Sequence, residues 1–186
     1  MSHPLQKGHL LIAEPSIIGD VSFNRAVILL ADHTDNGSVG FIMNKPLEHT
    51  LSDFVLEIEH CDLPVYDGGP VEQDNLYFIH RVPKLIPDSV EISKGIYWGG
   101  DFNKVIEQLQ NGDLQKNDIQ FFLGYSGWDS KQLTDELDDN TWVVIENDLG
   151  VDYLSTCCPK LWREKILQLG GDYLIWSNAP ENPNLN

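Results

Sequence analysis

Apolar residues along this chain gather in short runs: "HLLIAE", "AVILLAD", "VGFIMN", "LYFIH", "VEIS", "IQFFLGY" and "TWVVIEN". Each is rich in Val, Ile, Leu, Phe or Tyr, and most are bounded by Gly, Asn, Asp or Pro, which predicts strands. Between "AVILLAD" and "VGFIMN" lies "HTDNGS", whose Asn36-Gly37 pair tolerates positive backbone angles. This predicts an antiparallel hairpin.

A different spacing marks the helices. Leu51, Phe54, Val55 and Ile58 recur at i, i+3, i+4 and i+7, with Thr50 as N-cap and Asp53 three residues on, which predicts a helix there. Phe102, Val105, Ile106 and Leu109 share a second face between a capping Asp101 and Gly112. Asp129 and Gln132 resemble a capping box ahead of Leu133 and Leu137, so a short helix is expected just past Trp128, with Ser126 in the strand-to-helix turn. Pro159 opens a last helix bearing Trp162, Ile166 and Leu169, closed by Gly170-Gly171. Strands and helices interleave without a regular βαβ period. The expected fold class is α+β: a single domain over residues 1–176, with a complex mixed, largely antiparallel sheet surrounded by helices, and a flexible tail over 177–186.

Composition narrows the partners. The chain has 186 residues, 41% of them hydrophobic, enough for one self-sufficient core. Its 12 Lys and Arg face 29 Asp and Glu, and a net charge of -17 repels polyanions, which weighs against nucleic acid. A basic group, Lys160, Arg163 and Lys165, and an acidic one, Asp135, Glu136, Asp138 and Asp139, both read as solvated helix faces. Cys61, Cys157 and Cys158 lack the spacing of a disulfide framework or a zinc site, which fits a reducing compartment. The amino terminus has no apolar leader and no run is long enough for a bilayer, so the expected location is cytoplasmic, away from membranes.

The candidate chemistry centres on "GYSGW". A hydrolase elbow, G-x-S-x-G, needs small residues two positions either side of its serine, and here Trp128 stands where the second glycine belongs. All six histidines precede Ser126, so the elbow's order of serine before histidine is unavailable; His33 or His80 as an upstream base is the remaining catalytic alternative. The favoured reading is structural, with the glycines allowing a turn, Tyr125 and Trp128 closing over the core, and the hydroxyl satisfying a local backbone group. Gly68-Gly69-Pro70 reads as a tight turn, since Pro70 removes an amide donor and no P-loop lysine follows. Gly99-Gly100 precede a helix start that Asp101 already caps. His33 and His80 read as strand-end histidines bonded to carbonyls, and Asn44 as the brace of its strand's exit turn. No metal motif is present, and neither a metal nor another cofactor is expected.

Together, "GHLLIAEPSIIGDVSFNRAVILLADHTDNGSVGFIMNKP", "DGGPVEQDNLYFIH" and "GYSGWDSKQLTDELDDNTW" resemble the YqgE/AlgH family of bacterial proteins over nearly the whole chain. The resemblance rests on Pro15, Asp20, Phe23 and Arg25; on His33, Gly37, Gly40, Asn44 and Pro46; on Gly68, Gly69, Pro70, Val71 and His80; and on Gly124, Gly127, Trp128, Gln132, Leu133 and Trp142. It implies a cytosolic domain with a mixed sheet that is barrel-like in places, and no established enzymatic activity. One branch is named for a role in regulating alginate production, so the resemblance implies regulation, including of transcription. Relatives often carry alanine where Ser126 stands; Lys45 and Lys131 depart from the usual arginine and glycine. The expected function is a non-catalytic regulatory domain binding a small molecule or protein partner through His33, Asn44, Gly68, Gly69, His80, Tyr125, Ser126, Trp128 and Gln132. A serine hydrolase using Ser126 and a DNA-binding regulator using the basic helix are the alternatives.

Overall fold

The longest strand, β9 (Ile119–Asp129), is the axis of the molecule. In the computed structural model, which describes residues 4–17, 20–150, 154 and 159–180, it carries neighbours along both edges. On one edge lie β3 (Gly37–Ile42), antiparallel against its C-terminal half, and β5 (Pro64–Asp67), parallel against its N-terminal half. On the other lies β6 (Val71–His80), antiparallel. Adding β1 (Leu10–Ala13), β2 (Val27–Thr34), β7 (Val90–Ser93), β8 (Ile96–Trp98) and β10 (Trp142–Ile145) gives the order β10-β1-β2-β3-β9-β6-β8-β7. A branch is made by β4 (Pro46–Thr50) pairing with β5. The fold is α+β, with a mixed, largely antiparallel sheet.

The predicted hairpin joins β2 and β3, with Thr34 opposite Gly37. Seven strands follow the apolar runs; β4, β5 and β8 were not predicted, because two of them begin at proline and all are five residues or fewer. Helix α1 (Phe102–Asn111) starts where Asp101 accepts hydrogen bonds from the amides of Asn103 and Lys104, and ends at a left-handed Gly112. Helices α2 (Gln132–Asp138) and α3 (Leu161–Leu169) also stand where spacing places them.

Two expectations are corrected. The helix over 51–58 is a single 3-10 turn, Leu51–Asp53, which keeps the Thr50 capping box. Leu51, Val55 and Ile58 are still buried, because successive tight turns place i, i+4 and i+7 on one side as a continuous helix would. Ser126, expected in a strand-to-helix turn, lies inside β9. Gly124, two residues before it at φ +67°, sits opposite the extra residues of β6 where the β6–β9 register shifts, so it marks an irregularity of the ladder instead of the strand's end.

Two apolar clusters sandwich this framework. The larger joins β1, β2 and β3 to Phe122, Trp128, Trp142 and Trp162; the smaller gathers Leu51, Val65, Phe78, Val105 and Phe121 beneath α1. The sheet curls so that its ends face each other without pairing into a barrel. Lys7, just before β1, donates to the carbonyl of Glu91 in β7 at 2.9 Å, and Lys94 donates to that of Asn147 beyond β10 at 2.7 Å. Of the stretch read as a tail, Ser177 and Asn178 complete a 3-10 helix, Gly171–Asn178, and residues 181–186 lie outside those described, as do Cys157 and Cys158. No helix among the described residues is long and apolar enough to cross a membrane.

Candidate functional site

Alternation along β9 sorts its side chains. Tyr125, Gly127 and Asp129 face one side, part-exposed or exposed, while Ser126 and Trp128 point into the core. On the outer side lies a groove of about 430 Å³, with Val39 and Val71 beside Tyr125, no side chain at Gly127, and Asp32 and Gln132 at its rim. Trp128 also contributes to its lining. Tyr125 is held edge-on to Tyr77 at 5.5 Å, and the Tyr77 hydroxyl donates to Glu72.

Behind the groove, Glu136 of α2 accepts from both indoles, Trp128 Nε1 at 2.9 Å and Trp142 Nε1 at 2.7 Å, and its other oxygen accepts from Gln132 Nε2. Phe23 completes an aromatic trio, 5.4 Å from Trp142 and 6.3 Å from Trp128. Sequence reasoning passed over Glu136 as one member of a solvated acidic face. Its i, i+4 relation to Gln132 was the available signal, but the two tryptophans reach it from other strands.

The remaining sequence-predicted residues are dispersed. Ser126 is fully buried, and its hydroxyl donates to the Gly68 carbonyl at 3.1 Å, a partner 58 positions away instead of a local one. Gly68 and Gly69 pack against β9 so closely that a Cβ on Gly68 would stand 2.2 Å from the Gly124 carbonyl oxygen. His33 places Nδ1 2.7 Å from the hydroxyl of Ser38, its cross-strand partner. Asp32 accepts from the His33 backbone amide, and among the described residues no carboxylate accepts from the ring. His80 is buried, between the Gly99 carbonyl on Nε2 and the Val82 amide on Nδ1; burial lowers its pKa, against a smaller opposing effect of the Gly99 bond. Thus Tyr125, Trp128 and Gln132 converge on the groove, while His80 and Ser126 are walled off.

Asn44 lies elsewhere, beside a second pocket of about 470 Å³ at the start of α3, and it bonds the Val27 amide and the Arg25 carbonyl, each at 2.9 Å. The basic triad predicted on α3 is split. Lys165 is buried and paired with Asp148 at 2.5 Å, whereas Lys160 and Arg163 line this pocket. A third concavity, about 840 Å³, lies between residues 56–63 and the end of α1 and takes in none of the predicted residues. Among the described residues no group of three or more His, Cys, Asp or Glu could hold a metal ion.

Known proteins resemble this chain from end to end. The AlgH-like family model, DUF179, matches residues 10–174. A UPF0301 protein of Bacteroides fragilis is 39% identical over 97% of this chain and 91% of its own length; one of Chlorobium phaeobacteroides is 38% identical over 98% and 96%. The solution structure of the AlgH protein from Pseudomonas aeruginosa superposes with a TM-score of 0.72 at 24% identity, covering 97% of each chain. A crystal structure of a Corynebacterium diphtheriae protein does so at 0.75 and 16% identity, covering 96% of this chain and 95% of its own. These two likenesses establish the shared fold. By family model, relatives and architecture alike, the chain belongs to the AlgH-like family.

Proposed function

We propose that this protein is a non-catalytic regulatory domain that engages a ligand or protein partner through the groove on the outer side of β9. The observation that carries the reading is the groove's construction: a floor opened by Gly127, walls of Tyr125, Val39 and Val71, and a polar rim of Asp32 and Gln132. An apolar floor with a few fixed polar groups is how binding sites combine affinity with orientation. Gln132 is fixed by Glu136, and Tyr125 by Tyr77, so the recognition groups are held in place before anything binds.

Catalysis finds less support. The serine raised by the sequence is sealed from solvent, and in the hydrogen-bonded pair Ser38 and His33 no carboxylate among the described residues steers the ring. Val39→Arg places a long side chain in the groove without touching either core. Affinity capture and a thermal-shift screen of metabolites should give a reproducible hit with the natural protein that Val39→Arg loses. The same hits from both proteins, or none from either, refute the groove as the site. Labelling of the natural protein by a fluorophosphonate probe refutes the non-catalytic reading.

A further inference from the structure

The second pocket is an electrostatic anomaly in this molecule. Arg25, Lys45, Lys160 and Arg163, four of the chain's 12 cationic side chains, line about 470 Å³, and no carboxylate is among the described lining residues. Elsewhere acidic residues dominate, with a net charge of -17. Like charges gathered in one concavity repel one another, and the arrangement persists against that repulsion.

Arg25 and Arg163 are positioned by neutral oxygens, and among the described residues no carboxylate pairs with either. Arg25 Nη2 donates to the carbonyls of Ala179 at 2.7 Å and Pro180 at 2.8 Å. Arg163 Nη2 donates to Asn178 Oδ1 at 2.9 Å, and Lys45 Nζ to the Ser22 carbonyl at 2.5 Å. Both Nη2 hydrogens of Arg25 are thereby committed, leaving Nε and Nη1 as separate donors, whereas Arg163 commits Nη2 to one acceptor and keeps a two-pronged edge. Arg25 also lies over the ring of Trp162, 4.9 Å from its centroid, and that buried indole is itself pinned by donating to the Ala13 carbonyl at 2.8 Å. Stacking leaves the remaining in-plane N–H groups, Nε and Nη1, available to an oxyanion.

Two local rules are broken here. Arg25 adopts φ +55°, a left-handed conformation uncommon for arginine, and Asn44 clamps it by donating to its carbonyl. Lys160, the N-cap, and Arg163 sit at the start of α3, where the helix's own positive end disfavours cations, with Glu164 the acidic residue of the same turn. Departures of this kind concentrate where a chain binds something. What relieves both the mutual repulsion and the misplaced helix charge is an anion carrying more than one negative charge.

We propose that this pocket binds the phosphate group of a small phosphorylated metabolite, with Arg163 offering paired donors, Arg25 its remaining single donors, Lys160 supplying further charge, and Asn44 acting as a positioning residue for Arg25. The proposal is independent of the groove on β9. A pocket of this volume suits a single small molecule, and the acidic remainder of the surface repels an extended polyanion.

The test titrates isotopically labelled protein with pyrophosphate, following amide shifts and measuring affinity by calorimetry. Saturable one-to-one binding is expected, with shifts centred on residues 20–25, 44–46 and 159–163, and affinity falling about tenfold or more in Lys160→Glu/Arg163→Glu. Should that double variant lose its native circular dichroism, Lys160→Gln, an exposed side chain without a side-chain partner among the described residues, should give a smaller drop in the same direction. No saturation by about 10 mM, undiminished binding in the variants, or shifts centred elsewhere overturn the proposal. So does saturation by citrate without saturation by pyrophosphate, which would make this a polycarboxylate site. A DNA mobility shift abolished by the double variant, without pyrophosphate saturation, also overturns it.

Discussion

Side chains that look reactive in the sequence are consumed by the packing of one strand crossing. The Ser126 hydroxyl spans to the Gly68 carbonyl, which also accepts from the Ile42 amide at 3.1 Å, so Ser126→Ala leaves that oxygen a partner and should cost only about 1 kcal/mol in urea unfolding. The neighbouring glycine is far less tolerant. Gly69 has φ +143°, and a Cβ there would lie 2.4 Å from both the Tyr125 carbonyl carbon and the Ser126 hydroxyl oxygen, so Gly69→Ala should cost about 3 kcal/mol or more in the same assay. His80 supplies a pH signature. Burial depresses its pKa below the usual 6.5, and its Nδ1 already accepts from the Val82 amide, leaving no room there for a second proton. The unfolded chain therefore takes up a proton near pH 6.5 when the native one does not, and stability falls as pH drops from about 6.5 toward the depressed native value. Denaturation curves between pH 7.5 and 5.5 should show this slope, and His80→Gln should flatten it.

At the scale of elements, legibility followed sequence distance. Helix α1 was readable because its cap, apolar stripe and terminal glycine are contiguous, and the β2–β3 hairpin because Asn36-Gly37 announces it. β5 was hidden: four residues starting at Pro64 become a strand between β4 and a parallel edge of β9 that comes more than fifty residues later. The apolar spacing at 51–58 was real, but it reports burial on one side and does not distinguish a helix from consecutive turns. The candidate groove was half legible, with Tyr125, Trp128 and Gln132 in one motif, whereas Asp32, Val39 and Val71 reach it through pairing that no local pattern encodes. Glu136 ties these elements together, since α2, β9 and β10 meet at its carboxylate. Glu136→Ala should strand two indole N–H groups, cost about 2–4 kcal/mol and shift tryptophan emission to the red, while Glu136→Gln, which keeps one acceptor oxygen, should recover most of the loss.

For the molecule as a whole, β9 makes the two apolar clusters one cooperative unit, since adjacent residues Phe121 and Phe122 belong to different clusters. Trp128, Trp142 and Trp162 all report on the larger cluster, so fluorescence sees one side of the strand and far-ultraviolet dichroism sees both. Phe121→Ala, a cavity in the smaller cluster, should destabilise by about 3–5 kcal/mol and move both midpoints by the same amount. A fluorescence midpoint left in place while the dichroism acquires an early phase would divide the clusters. The curl of the sheet has a further consequence for solubility. A sheet with loose ends is a template for ladder growth between molecules, and here the ammonium groups of Lys7 and Lys94 occupy carbonyls of Glu91 and Asn147 where the two ends approach. Replacing both by methionine uncovers those acceptors and removes the charge that repels an incoming strand, which turns a self-limiting curl into a surface prone to fibrillar association.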